Sequence, residues 1–136
     1  MKNNQIFIEQ KSPYNVDSTV EKLIEYAKEK KWKSFTVDNF HQNSEKTNNI
    51  SKPVKILEIC KQEYSGYIHK KNIEKPSLLM MMPCRISVYE KEDGRTYVSL
   101  LNMSAMVTGL PQYENDIISK ASLETIEIVK SVVGAF

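Results

Sequence analysis

The chain has 136 residues, a net charge of +2 and an apolar content of 40%, which together describe one soluble-type domain with enough length for a single core. Lysines and arginines are scattered, so no basic face argues for nucleic acid. The longest apolar run, Leu78-Leu79-Met80-Met81-Met82, is far too short to span a bilayer, and the polar start Met1-Lys2-Asn3-Asn4-Gln5 does not read as a signal peptide. The expectation is a cytoplasmic domain over 1–136 without nucleic acid or membrane, in which Cys60 and Cys84 stay reduced.

Ile6-Phe7-Ile8 reads as a first strand, interrupted at Ser12-Pro13. Asn15 is placed to cap a helix, with Asp17 near its positive end. Val16, Val20, Leu23, Ile24 and Ala27 form its apolar stripe, and the charged opposite face reads as solvated. Trp32 to Val37 is a second strand, so the chain opens β-α-β. The polar stretch from Asp38 to Asn49 holds little core and carries His41. Val54 to Cys60 is a third strand, with apolar residues on both faces as in a covered central strand. Glu63 to Asn72 predicts a short helix with Tyr64 facing inward.

The most readable stretch is Pro83 to Asn102. Cys84, Ile86 and Val88 alternate with Arg85, Ser87 and Tyr89, and Thr96, Val98 and Leu100 alternate with Tyr97, Ser99 and Leu101. A three-residue loop, Glu92-Asp93-Gly94, sets Val88 against Val98, Ile86 against Leu100, Tyr89 against Tyr97 and Ser87 against Ser99. Every pair then matches in polarity. A two-residue loop mixes the faces. The longer loop needs a left-handed residue at its end, which suits Gly94. Met103 to Pro111 is a loop or short turn. A last helix over 113–133 presents Ile117, Ile118, Ala121, Thr125, Ile128, Val129, Val132 and Val133. The order β-α-β-(α)-β-(α)-β-β-α predicts an α+β fold, an antiparallel β-sheet with helices packed mainly on one face.

Met82-Pro83-Cys84-Arg85-Ile86-Ser87-Val88-Tyr89-Glu90, then Asp93-Gly94 and a strand ending at Asn102, resembles the hairpin signature of the domain-of-unknown-function family DUF302, and more narrowly its branch with Pro-Cys-Arg before the hairpin. Lys11-Ser12-Pro13-Tyr14 leading into Val20-Glu21-Lys22-Leu23 is similar to the family's opening strand and first helix, and Leu57-Glu58-Ile59-Cys60 to its middle strand. The resemblance covers roughly the first four-fifths of the chain. Cys60-Lys61-Gln62 departs from it where many members carry a Gly-Asn-Pro-like turn, and Pro83-Cys84 where many carry Leu-Pro. The resemblance implies an α+β fold and a homodimer, and no assigned activity.

The chemistry-bearing residues are few. Two thiolates make a soft-metal clamp or a redox pair, and buried cysteines also serve as small apolar residues. Met80, Met81, Met82, Met103 and Met106 add soft sulfur or adaptable filling. His41 is a better ligand or base candidate than His69, which sits beside two lysines. Tyr89, Tyr97 and Leu101 mark an exposed sheet face fit for a dimer partner. Three functions stay open. One is a homodimeric binding module for a small ligand or soft metal near Cys60, Cys84 and His41. Another is a thiol enzyme or redox protein using Cys84 or Cys60. The last is an interaction protein without a ligand. The sequence names no cofactor.

Overall fold

The computed structural model describes residues 6–37, 52–64, 84–103 and 112–134. Five strands and two long helices lie within them: β1 (Phe7–Ser12), α1 (Val16–Glu29), β2 (Lys33–Val37), β3 (Val54–Cys60), β4 (Cys84–Glu90), β5 (Thr96–Leu101) and α2 (Gln112–Val133). The strands form one sheet in the order β1-β5-β4-β3-β2, antiparallel at every junction. β2 to β5 run as a meander, and β1 closes the free side of β5. The opening β-α-β therefore spans the sheet: α1 joins strands at opposite edges, not neighbours.

Burial alternates with the pleat. Ile8, Leu57, Ile59, Cys84, Ile86, Val88, Val98 and Leu100 point to one face and are buried under α1 and α2. α1 packs on β2, β3 and β4, while α2 packs on α1 and β1. From the helices, Leu23, Ala27, Ile118, Ala121, Ile128 and Val129 complete the core. Among the buried polar residues, Ser12 and Thr19 satisfy one another. Thr19 Oγ1 donates to the Asn15 carbonyl at 2.7 Å and meets Ser12 Oγ at 2.7 Å. That bond lets β1 run on to Ser12, beyond the three residues its apolar pattern marks.

Asn15 caps α1 as expected, its Oδ1 accepting from the Ser18 N–H at 2.8 Å. The hairpin has the register read from polarity: Ile86 faces Leu100, Ser87 Ser99, Val88 Val98 and Tyr89 Tyr97. Lys91 N–H donates to the Arg95 carbonyl at 3.0 Å and Gly94 N–H to the Lys91 carbonyl at 2.9 Å, with Gly94 at φ 77°. β3 is interior to the sheet, between β2 and β4. Its Leu57 and Ile59 lie beneath the helices, but Val54 and Ile56 are only half-buried on the other face. The two-sided cover expected for β3 is thus one-sided among the described residues. Of the helix expected over 63–72, the described part is a turn at 62–64.

Candidate functional site

Antiparallel pairing brings four chain positions to one end of the sheet. β3 ends there at Cys60, β4 begins at Cys84, β5 ends before Met103, and Trp32 stands just ahead of β2. Ile59 pairs with Cys84, so the two cysteines occupy the ends of adjacent strands. Both are thiols, Cys60 half-buried and Cys84 buried. Alternation separates their faces. Cys84 shares the helix face with Ile86, whereas Cys60 follows Glu58 onto the open face opposite Lys33.

Cys84 Sγ instead meets Met103 Sδ at 3.9 Å, and Met103 is itself buried. Burial pushes the Cys84 thiol up to about 12, and the nearby Cys60 charge adds to the shift. A thiol held so firmly neutral is a weak nucleophile near neutral pH.

Beside these sulfurs lies a polar hub that the sequence does not announce. Glu124 of α2 gathers three donors. Trp32 Nε1 donates to Oε1 at 3.1 Å, Lys61 Nζ to the same oxygen at 3.0 Å, and the Tyr64 hydroxyl to Oε2. The Trp32 and Tyr64 rings pack with centroids 5.9 Å apart, and Lys61 Nζ stands 5.5 Å from the Tyr64 ring. Lys61 also pairs with Glu63 at 3.5 Å. Burial pulls the Lys61 ammonium down, but Glu124 and then Glu63 outweigh it, and the net shift is upward. The signal for Glu124 is slight: it stands three residues after Ala121 and four before Ile128, an acid on the edge of an apolar helical stripe.

The open face carries the expected aromatic pair. Tyr89 and Tyr97 stack at 6.4 Å between centroids, each phenol tied to a carboxylate. Tyr89 donates to Glu9, and Tyr97 to Asp93 at 2.6 Å. Lys91 completes the group, 2.6 Å from Glu9 and 4.3 Å from the Tyr97 ring centre. Burial and the Glu9 bond raise the Tyr89 phenol to about 12. Leu101 is 38% exposed beside Phe7 at 65%. His41, His69, Met80, Met81, Met82 and Met106 lie outside the described residues. No group of three or more His, Cys, Asp or Glu able to hold a metal occurs among the described residues, and no helix among them is long and apolar enough to cross a membrane.

An open antiparallel sheet with both long helices on one face defines an α+β domain, and comparison with known proteins places it further. The family model "Domain of unknown function DUF302" matches residues 8–132, and the chain belongs to that family. It is similar in structure to the uncharacterized conserved protein DUF302 from Bacillus stearothermophilus, with a TM-score of 0.79 at 18% identity, covering 94% of this chain and 98% of that one. No curated protein matches the sequence.

Proposed function

We propose that the chain is a cytoplasmic homodimeric binding module that holds a small ligand or soft metal at the sulfur-bearing end of its sheet. The observation that carries this reading is the contact of Cys84 Sγ with Met103 Sδ at 3.9 Å, with Cys60 on the adjoining strand end. Thiolate and thioether together suit a soft ion such as Cu(I). Such an ion displaces the thiol proton as it binds, so a buried neutral thiol is compatible with ligation. The competing thiol-enzyme reading asks for a thiolate near neutral pH, and the rise of Cys84 to about 12 speaks against that residue as nucleophile. Reduced cysteines accord with a cytoplasmic setting.

Native mass spectrometry of protein purified without chelator under oxygen-free reducing conditions, before and after addition of Cu(I), tests both parts. The expected result is a dimer that retains a stoichiometric adduct, lost in Cys84→Ser and weakened in Met103→Leu. A dimer that retains nothing after Cu(I) addition or from the cell extract overturns the binding site and leaves an interaction protein. An adduct indifferent to Cys84 and Met103 overturns the location.

A further inference from the structure

The open face of the sheet carries one transverse row with a self-complementary order. Phe7 pairs with Leu101, Arg85 with Glu58, and Glu58 with Phe35. The rung after Ile86–Leu100 sets Leu101 beside Arg85. From β1 to β2 the row therefore reads apolar, apolar, positive, negative, apolar. Phe7 is 65%, Phe35 63% and Leu101 38% exposed. The Arg85 side chain is 69% exposed, and its nearest approach to Glu58 is a loose 4.0 Å. Within one chain this pair is weak and leaves the guanidinium largely in water.

We propose that a second copy of this chain covers this face about a two-fold axis parallel to the strands, lying between β3 and β4, so that each Arg85 sits over the partner's Glu58. The inference rests on the homodimer proposed above and deepens it. The axis position follows from the row. Set between β3 and β4, it places Leu101 over the partner's Phe35 and, two rungs along, Tyr89 over the partner's Val54. An axis along β4 stacks Arg85 on the partner's Arg85, like charge on like. An axis across the strands sets Phe7 and Leu101 over the partner's Lys11 and Tyr97, wasting the apolar end. Of the three, the first opposes unlike charges and sets Leu101 on the partner's Phe35, with Phe7 on the outermost strand left beyond the partner's β2. It is an isologous contact of the kind that closes dimers, and the aligned packing of two sheets is a standard geometry. The size is adequate. Strands about 4.8 Å apart and rising roughly 3.3 Å per residue give the face a projected area on the order of 400 Å². Side chains standing off that plane bring it toward the ~800 Å² per partner of specific interfaces.

The arrangement makes a prediction that an intrachain pair does not. Arg85→Glu alone and Glu58→Arg alone each face like charges across the axis, and each dimer dissociation constant rises roughly 100-fold. Mixed together, the two variants restore opposite charges at both contacts and form the heterodimer in preference to either homodimer. Native mass spectrometry separates the three species by mass, and circular dichroism confirms that each variant is folded. Leu101→Gln, at an exposed position, gives a second arm and weakens the dimer without altering the fold. A wild-type dimer whose mixed variants show no excess of heterodimer overturns this register while the homodimer stands. A wild-type chain that stays monomeric at micromolar concentration overturns both.

Discussion

Trp32 and Glu124, 92 residues apart, are joined by a 3.1 Å hydrogen bond from the indole nitrogen to the carboxylate. It ties the entrance of β2 to the middle of α2 and closes the helix layer over the sulfur-bearing end. Lys61 and Tyr64 meet the same carboxylate, so one side chain joins α2 to segments from two other parts of the chain.

Glu124→Leu removes the acceptor shared by all three donors at a site where the Glu124 and Lys61 side chains are 25% and 16% exposed. Removing one member of a half-buried charged pair costs about 2 kcal/mol after allowance for residual solvent. Glu124→Gln keeps a carbonyl for two of the bonds and costs about half as much. Urea unfolding followed by Trp32 fluorescence measures both, and the emission of native Glu124→Leu moves to the blue as an apolar side chain replaces the carboxylate beside the buried indole. A Leu variant as stable as wild type refutes the role given to the hub.

Cys84 supplies a prediction in alkali. Its thiol stands at about 12 in the fold against an ordinary 9.0, chiefly through burial. The unfolded chain loses this proton first, so folding stability attributable to Cys84 is complete below pH 9.0 and declines as pH rises toward about 12. Within that window the slope is about 1.4 kcal/mol per pH unit. Tyr89, raised to about 12, slopes the same way, so the readout is the difference between wild type and Cys84→Ala. The variant is expected to show the shallower alkaline decline. Identical slopes refute the buried, neutral thiol. By the same argument Cys84 resists iodoacetamide until the protein unfolds.

Ser122 is buried at 1%, and its hydroxyl has no hydrogen-bond partner among the described residues. A buried hydroxyl without a partner retains its desolvation cost, and alanine is the better helix former. Ser122→Ala is therefore expected to raise stability by about 1 kcal/mol, seen as a higher thermal midpoint. A lower midpoint contradicts the accounting.

The hairpin was legible because its two signals agree: a period of two on both strands, and Gly94 where the loop needs a positive φ. Polarity matching then leaves one register. The helices were legible from their stripes and from Asn15. Strand order was not, because pairing of β1 with β5 is a contact between strands far apart along the chain that no local pattern encodes. The placement of β1 and β2 at opposite edges follows from it. The cysteines show the same limit. Their strand ends could be read, but the face each takes depends on pairing, and pairing sends Cys60 and Cys84 to opposite sides. The Glu124 hub was hidden because an acid beside an apolar stripe ordinarily meets water. The end of α1 was hidden for a different reason: it carries no glycine.

That helix end supports the last prediction. Lys31 N–H donates to the Lys28 carbonyl at 2.9 Å and Trp32 N–H to the Ala27 carbonyl at 2.8 Å. Buried Trp32 and Ala27 supply the accompanying apolar contact. This is the Schellman pattern, with Lys30 as the C-cap and Lys31 in the left-handed position at φ 67°. α2 ends with Gly134 at φ 87°, where the same demand meets no Cβ. Lysine at φ 67° costs about 1 kcal/mol that glycine does not. Lys31→Gly accordingly gains stability, less a few tenths of a kcal/mol for the greater freedom of the unfolded chain. The converse substitution at the hairpin, Gly94→Ala, loses about 1 kcal/mol, although a Cβ there meets nothing within 4 Å. Backbone conformation alone is at issue in both, so the two changes are expected to be similar in size and opposite in sign in chemical denaturation. A loss of stability in Lys31→Gly shows that the lysine side chain holds this helix end more strongly than its backbone strain opposes it.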